Sequence, residues 1–342
     1  METRMSINKN AYIVSSTRQP HRGLKRRDIL ALLACAPLVH TTALARLQST
    51  PIRAIVPFPP GSATEIGARF IANKLAELTG QPVIVESRGG GNGFIAVQAV
   101  MSAPADGHTV LFGGYSTLVT NEVLFKKLPY DTLNDLAPVS MTISSPVVLL
   151  TSRNSPYKRL PDFITAAQRQ PGKVTIGSGS ASYLLAAELL AQKGKFEFTS
   201  IPYKSAPETA LAVASGQIDL GVVEMTSALP HIQAGIASAL AIATESRHPA
   251  LPDVPTSAEA GVQDFLASFW TGIAVSARTP KETIDSLSDL MVKIMNMPET
   301  RKYFTDQNVV VMPPGQAAMR TLQGQEIAMW KKIAADAKIE LQ

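Results

Sequence analysis

The chain of 342 residues is short of cysteine and histidine, and these shortages exclude whole classes of site. Its one cysteine, Cys35, lies near the N-terminus, so the remaining chain contains neither a disulfide nor a thiol nucleophile. Its five histidines have no metal-ligand spacing, and no G-x-S-x-G segment indicates a hydrolase nucleophile. The sequence therefore predicts no catalytic residues, no metal and no cofactor.

Charged residues make up only 17% of the chain, and the positive excess lies at one end. Residues 1–45 contain seven Lys or Arg and two acidic residues, whereas residues 46–342 contain 25 of each sign. The net charge of +5 therefore belongs to the N-terminal segment. Because the rest of the chain is neutral and has no basic patch, the sequence does not favour a nucleic-acid partner.

No apolar run reaches the roughly 20 residues that a membrane-spanning helix needs. The run at residues 29–39 has eleven; it follows a basic stretch and precedes Ala43-Leu44-Ala45, a small-x-small site. Residues 1–45 are therefore predicted to be an export signal, cleaved near Arg46. Arg26-Arg27 resembles a twin-arginine signal; an ordinary secretory signal and a lipid attachment site at Cys35 are the alternatives.

Beyond residue 45, short apolar runs alternate with amphipathic runs, which predicts an α/β fold with parallel-rich sheets covered by helices on both faces. The predicted strands are residues 52–56, 83–86, 109–112, 147–151, 174–176, 199–202, 219–223, 239–243 and 269–275, with a short one at 309–312. The predicted helices are residues 66–78, 94–101, 160–168, 184–192, 208–214, 283–295, 299–305 and 316–337.

This order of elements predicts two lobes. Residues 46–147 together with 272–342 form lobe 1, and residues 148–271 form lobe 2. The chain crosses between the lobes near 148–152 and again near 269–273. Two crossings permit hinge closure around a ligand in the cleft.

Two turns between a strand and a helix are candidates for an anion site. Ser62-Ala63-Thr64-Glu65 fits a capping box that begins a helix directly after a strand and the Pro60-Gly61 turn. The Gly/Ser turn at residues 177–182 occupies the same place in the second lobe. Helix N-termini present unpaired amides that attract anions, so the two turns together predict a carboxylate site. A capped helix and a flexible connection are the plainer interpretations.

Other loops add hydroxyl and carboxyl groups to the same prediction. Tyr115, Ser116 and Thr117 follow a strand of the first lobe, and Glu224 ends a strand of the second. A simple turn and a solvated carboxylate are the alternatives for these residues. The glycine-rich loop at residues 88–93 does not match a dinucleotide-binding motif, because Phe94 stands where the last glycine belongs.

Several segments, in order along the chain, resemble the Bug-type periplasmic receptors of tripartite tricarboxylate transporters. They are Val56-Pro57-Phe58-Pro59-Pro60-Gly61, Gln81-Pro82-Val83-Ile84-Val85-Glu86-Ser87-Arg88, Ala103-Pro104-Ala105-Asp106-Gly107-His108-Thr109, Lys127-Leu128-Pro129-Tyr130-Asp131, Ile201-Pro202-Tyr203-Lys204, Ser215-Gly216-Gln217-Ile218-Asp219 and Leu251-Pro252-Asp253-Val254-Pro255-Thr256. The resemblance extends over nearly all of residues 50–340.

The resemblance implies a two-lobed periplasmic-binding-protein fold, the Venus flytrap, that captures a small organic acid such as a di- or tricarboxylate in the periplasm. It implies a monomer that delivers this acid to membrane subunits of the transporter and is not an enzyme. Combined with the turns, it predicts a set of ligand-binding residues. They are Pro60, Gly61, Ser62, Ala63, Thr64, Tyr115, Ser116, Thr117, Ser178, Gly179, Ser180, Ser182 and Glu224.

The chain departs from the family pattern at two places that concern the ligand. Ser62 replaces the second glycine of the usual Gly-Gly, which predicts a narrower pocket. Val223 stands where the family often has an aspartate that reads a ligand amino group, and this weakens the case for amino-acid ligands. A ligand-sensing input protein for a signalling system and an exported enzyme on the same scaffold are the alternative functions.

Overall fold

The computed structural model describes residues 50–336 and 339–342, so the predicted export signal at residues 1–45 lies outside the described residues. The strands are β1 (Ile52–Val56), β2 (Val83–Ser87), β3 (Thr109–Gly113), β4 (Leu136–Ser152), β5 (Thr175–Ser178), β6 (Thr199–Pro202), β7 (Leu220–Glu224), β8 (Ala237–Ile242), β9 (Ser268–Ser276) and β10 (Val310–Val311). The helices are α1 (Ala63–Thr79), α2 (Phe94–Met101), α3 (Asn121–Leu124), α4 (Leu160–Arg169), α5 (Ala181–Gly194), α6 (Ala206–Ala214), α7 (Met225–Gln233), α8 (Lys281–Asn296), α9 (Pro298–Asp306) and α10 (Gln316–Asp336). Gly91–Gly93 forms a 3-10 turn and Ser116–Thr120 a π-helical turn. None of the helices in these ranges is both long and apolar enough to cross a membrane.

The long strand β4 joins the two halves of one ten-stranded sheet. Up to Pro146, β4 pairs with β9, and this first half of the sheet continues from β9 through β3 and β1 to β2. From Val147 onward it pairs with β7 and β8, and β7 leads through β5 to β6. Strand β9 starts at Ser268, opposite Pro146, so β4 passes from one half into the other at the point where β9 enters the first half. The hinge crossings predicted near 148–152 and 269–273 lie close by, and movement about them stays a prediction.

The sheet is parallel only toward its two edges. Strand β1 runs parallel to β2 and β3, and β5 runs parallel to β6 and β7. In the middle, β9 is antiparallel to β3 and β4, and β4 is also antiparallel to β7, β8 and β10. The predicted parallel pairing is thus found toward both edges, whereas the centre is antiparallel because β4 and β9 carry the chain in opposite directions.

Strand β4 is buried along nearly its whole length, although its first part is polar in sequence. Two of the hydroxyls there are paired: Thr142 Oγ1 lies 2.6 Å from Thr271 Oγ1, and Ser140 Oγ accepts a hydrogen bond of 3.0 Å from the Gly315 amide. The predicted strand began only at residue 147, because apolar runs alone do not reveal a buried strand with paired hydroxyls. Helix α7 was not predicted either; it contains Pro230, which ordinarily breaks a helix.

Helices α1 and α5 pack their apolar faces on opposite halves of the sheet. Ile71 and Leu75 of α1 are buried in the same core cluster as Val56 of β1. Leu185 of α5 is buried in the cluster that contains Ile176 of β5. Full burial of such side chains stabilises the fold by about 1.5–3 kcal/mol each. This packing fixes both helix N-termini at the carboxyl ends of the strands that precede them.

Candidate functional site

The carboxyl ends of β1, β3, β5 and β7 meet around a cavity of about 50 Å³, called here the inner cavity. A side cavity of about 30 Å³ shares several of its residues, and an outer groove of about 500 Å³ shares Phe58 and Ser180. The inner cavity is lined by Phe58, Ala63, Thr64, Gly114, Tyr115, Ser116, Ile143, Ser145, Ser180, Ser182, Tyr183, Glu224, Phe269, Trp270, Thr271 and Val309. Its wall thus contains residues from both halves of the sheet.

The turn after β1 places two residues with unpaired amides on the wall of this cavity. Ser62 Oγ accepts a hydrogen bond from the Glu65 amide at 3.3 Å, as the capping box predicts. The return bond differs, because Glu65 Oε2 accepts from the amide of Gly61 at 3.2 Å and not from that of Ser62. The amides of Ala63 and Thr64, which open the helix, have no helical partner and no other partner among the described residues. Both residues line the inner cavity.

The second helix N-terminus belongs to α5. Ser180 is its N-cap, yet its side chain caps no amide within the described chain. The first amides of α5, those of Ala181 and Ser182, are unpaired within the helix by geometry. Ser182 Oγ lies 3.0 Å from Thr120 Oγ1, which joins α5 to the π-helical turn after β3. Two helix ends with free amides therefore flank one small cavity, and each carries a partial positive charge.

Two serine hydroxyls on the cavity wall lack a partner. Ser116 Oγ and Ser145 Oγ are buried and make no hydrogen bond with any described residue. Leaving a buried polar group unsatisfied costs about 1–3 kcal/mol, so such groups call for an explanation. By contrast, Thr117 Oγ1 donates to the Gly114 carbonyl at 3.0 Å and is satisfied. The two free hydroxyls are available to a bound molecule.

Glu224 is the one carboxylate on the wall of the inner and side cavities, and no described residue on either wall is Lys, Arg or His. It ends β7 and is only 6% exposed. Its Oε1 accepts from Ser227 Oγ at 2.8 Å, and its Oε2 accepts from the Tyr183 hydroxyl. Burial raises the pKa of Glu224, and burial together with the neighbouring carboxylate raises the pKa of Tyr183.

Aromatic rings form the wall that faces α10. The Tyr115 ring lies 4.7 Å from the Phe269 ring at a tilt of 31°, and it meets the Trp270 ring edge-on at 5.7 Å. Trp270 Nε1 donates to Glu326 Oε2 at 2.6 Å, and Trp330 Nε1 donates to the Tyr115 hydroxyl at 2.8 Å. Burial raises the pKa of Glu326. Helix α10 therefore holds two rings of the cavity wall by hydrogen bonds from behind.

The structure brings most of the predicted site residues together. The inner cavity is lined by seven of them, which are Ala63, Thr64, Tyr115, Ser116, Ser180, Ser182 and Glu224. The side cavity adds Ser62 and Gly179, and the outer groove adds Pro60. Gly61, Thr117 and Ser178 line none of these three spaces. Gly61 turns the chain at a φ of 86°, Thr117 bonds back to its own turn, and the Ser178 carbonyl accepts from the Tyr203 amide. Contact with a ligand stays a prediction for the whole set.

The sequence prediction missed the cavity residues that come from the middle strands and the rings. They are Phe58, Ile143, Ser145, Tyr183, Phe269, Trp270, Thr271 and Val309. Ser145 had a usable signal, since a hydroxyl run followed by Pro146 is unusual in a buried strand. Tyr183 had one as well, because it belongs to the first turn of α5.

Two curated proteins show the relationship over almost the full length. A protein of Pseudomonas sp. (strain P51), described as a UPF0065 protein in the tcbD-tcbE intergenic region, is 31% identical over 320 residues, covering 92% of this chain and 95% of that one. Protein BugT of Bordetella pertussis is 32% identical over 315 residues, covering 90% of this chain and 96% of BugT.

Two solved structures have folds similar to that of this chain. Rpa4515 of R. palustris, determined with adipate, is 28% identical with a TM-score of 0.81, covering 86% of this chain and 99% of that one. MatC of Rhodopseudomonas palustris, with bound malate, is 29% identical with a TM-score of 0.78, covering 83% and 98%. The chain thus has the two-lobed periplasmic-binding-protein fold. Residues 67–339 match the model of the tripartite tricarboxylate transporter family receptor, and the chain belongs to this receptor family.

Proposed function

We propose that the inner cavity captures a small organic acid, and that the free amides of α1 and α5 hold its carboxylate with help from Ser116 and Ser145. The observation that carries the proposal is the combination of unpaired donors with the absence of any base on the described cavity wall. Donors of this kind favour an anion without needing a buried counter-cation.

The energies are sufficient for a useful receptor. A hydrogen bond to a charged group contributes about 1.5–3 kcal/mol, and a helix N-terminus about 0.3–1 kcal/mol. Micromolar affinity corresponds to about −8 kcal/mol. A few of the available amides and hydroxyls therefore suffice, even after the cost of ordering the ligand.

The acids bound by the related Rpa4515 and MatC, adipate and malate, support a dicarboxylate as the ligand class. One water requires about 10–15 Å³ of such space, so a cavity of about 50 Å³ has room for only a few atoms beyond a carboxylate. We propose that lobe 1 (46–147 with 272–342) and lobe 2 (148–271) separate to admit the acid and close on it.

The same proposal includes the setting of the protein. Residues 1–45 direct export of the protein, and the mature chain acts in the periplasm as a monomer. There it transfers the bound acid, chemically unchanged, to membrane subunits of the transporter. Capture without turnover is consistent with a wall of backbone amides, hydroxyls and rings.

The test is a thermal-shift screen of the chain from Arg46 onward against malate, adipate, succinate, citrate and their amides, followed by calorimetry. We expect one or more acids to raise the melting temperature and to bind at micromolar concentrations, and the uncharged amides to have no effect. If no acid shifts the melting temperature or releases heat, the proposal fails. Chromatography of the bound acid after incubation shows whether it is recovered intact.

A further inference from the structure

A carboxyl group of the protein faces the space in which the carboxylate of the ligand is proposed to lie. Glu224 lines both the inner and the side cavity and is almost fully buried. The same walls contain Ala63 and Thr64 of the α1 N-terminus. An anionic ligand drawn to those amides is therefore confined in a cavity of about 50 Å³ together with this acid.

Among the described residues that line the two cavities, none is a cation that would offset this repulsion. Helix α5 contributes the Tyr183 hydroxyl, α7 contributes the Ser227 hydroxyl, and the paired residue of β4 is Val147. On the β9 side the wall is formed by Phe269 and Trp270, which do not ionise. Because burial and its carboxylate neighbour keep the pKa of Tyr183 high, that hydroxyl stays neutral and can only donate or accept hydrogen bonds.

Ionising two carboxylates in one site from which water is excluded costs much free energy, so one of them usually keeps a proton. Each oxygen of Glu224 already accepts one hydrogen bond and has one further lone pair directed to its surroundings. A proton on that lone pair would turn Glu224 from a repelling acceptor into a donor toward the ligand.

We propose that this receptor takes up its acid together with one proton from solvent, and that Glu224 carries that proton beside the bound carboxylate. The inference depends on the proposed function, since it concerns the same site and the same class of ligand. On binding, one O–H bond forms at Glu224, and the hydronium ion or buffer acid that supplies the proton loses its bond to it. Burial already raises the pKa of Glu224 in the free protein, and a second carboxylate raises it further.

Proton uptake on binding makes the affinity depend on pH, and calorimetry can measure this dependence. While Glu224 is ionised in the free protein and protonated in the complex, affinity falls about tenfold for each unit of rising pH. Below the pKa of Glu224 in the free protein, Glu224 no longer makes the affinity depend on pH. Titrations of malate and adipate from pH 5 to 8.5, in buffers with different ionisation enthalpies, should show an uptake approaching one proton at the alkaline end.

Glu224→Gln is the decisive variant, because its side-chain amide imitates a protonated carboxyl group. We expect it to bind malate or adipate with no proton uptake, with a flat pH profile, and at pH 8.5 at least tenfold more tightly than the unaltered protein. Glu188→Gln is the matched control. Glu188 is a partly buried acid of α5 whose pKa burial also raises, but it is not on the cavity wall, so its replacement should leave proton uptake unchanged.

Three outcomes separate the two proposals. Binding of malate or adipate without proton uptake overturns this inference and leaves the proposed function standing. Tighter binding of aspartate than of malate, abolished by Glu224→Gln, also overturns it, because Glu224 would then be an ionised partner for an ammonium group. If neither these three acids nor any other acid of the thermal-shift screen binds at any pH, both proposals fail.

Discussion

At the scale of single residues, the candidate site relies on groups that are easily overlooked in a sequence. Ser116 and Ser145 have buried hydroxyls without partners, and we predict that each replacement by alanine weakens binding of the captured acid by about tenfold. Because neither hydroxyl makes a bond in the free protein, the melting temperature without ligand should not fall. Calorimetry and thermal melts of both variants measure the two effects separately.

Ser288→Ala is the matched control for these serines, since Ser288 is equally buried but lies in α8. It should leave the affinity unchanged. If Ser116→Ala and Ser145→Ala bind as tightly as the unaltered protein, then the two hydroxyls do not contact the ligand.

Ser62 is the residue at which the chain leaves the usual Gly-Gly of its family, and the structure shows its role as a helix cap. We predict that Ser62→Ala lowers the free energy of unfolding by about 1 kcal/mol, and Ser62→Gly by only a few tenths. Both variants should retain ligand affinity within a few-fold, because the amides at the cavity are those of Ala63 and Thr64. Urea unfolding and calorimetry check this; a large loss of affinity in both variants would assign Ser62 a direct contact.

The ion pair of Glu86 gives a pH signature away from the site. Arg53, and to a lesser extent Arg88, lower the pKa of Glu86 to about 2. Stabilisation is therefore present above the ordinary pKa of 4.5 and disappears as the pH falls from there toward 2. Since the pair is partly exposed, we expect Glu86→Gln to cost about 1 kcal/mol at pH 7. Urea unfolding should show that cost vanish near pH 2; a constant cost at all pH values would exclude the ion pair as its source.

At the scale of elements, helix α10 supports the site without contributing to its wall. Glu326 accepts from Trp270 Nε1 at 2.6 Å, and Trp270 and Tyr115 line the inner cavity. We predict that Glu326→Ala weakens ligand binding by about 1–2 kcal/mol, because an unpaired buried indole N–H lets the ring reorient. Glu326→Gln, which keeps an acceptor oxygen, should retain most of the affinity.

Tryptophan fluorescence checks the cause of this effect. Glu326→Ala should shift the emission of the free protein, whereas Glu326→Gln should not. Lys331→Ala serves as a control, because Lys331 belongs to the same helix but pairs with Glu122 at the surface. Loss of affinity in all three variants would indicate a general disturbance of α10.

An element could be predicted where its own residues have a strong local preference, and could not where it depends on pairing with a distant segment. The turn from β1 to α1 was predicted because Pro60, Gly61 and Ser62 each have a strong local preference for such a turn. The first part of β4 was not, because its partners lie more than a hundred residues away in β9. The cavity rings followed the same rule, since Phe269 and Trp270 become neighbours of Tyr115 through the equally distant pairing of β9 with β3.

At the scale of the whole molecule, the proposed closure of the lobes can be tested at one contact between the two halves of the sheet. Thr120, in the turn after β3, and Ser182, in α5, have hydroxyl oxygens 3.0 Å apart and belong to opposite halves of the sheet. Cysteine side chains at these positions would place their sulfurs within reach of a disulfide. The chain beyond Cys35 has no other cysteine, so the pairing would be unambiguous.

We predict that the chain from Arg46 onward with Thr120→Cys and Ser182→Cys, once oxidised, is locked shut. Malate or adipate offered afterwards should bind at least a hundredfold more slowly than in the reduced protein, and an acid trapped before oxidation should not leave on dialysis. Reduction should restore exchange, and Ser182→Cys alone measures the cost of losing the hydroxyl. Fast exchange in the oxidised protein would mean that the acid reaches its site without separation of the lobes, and the cavity would then have to fill through the outer groove.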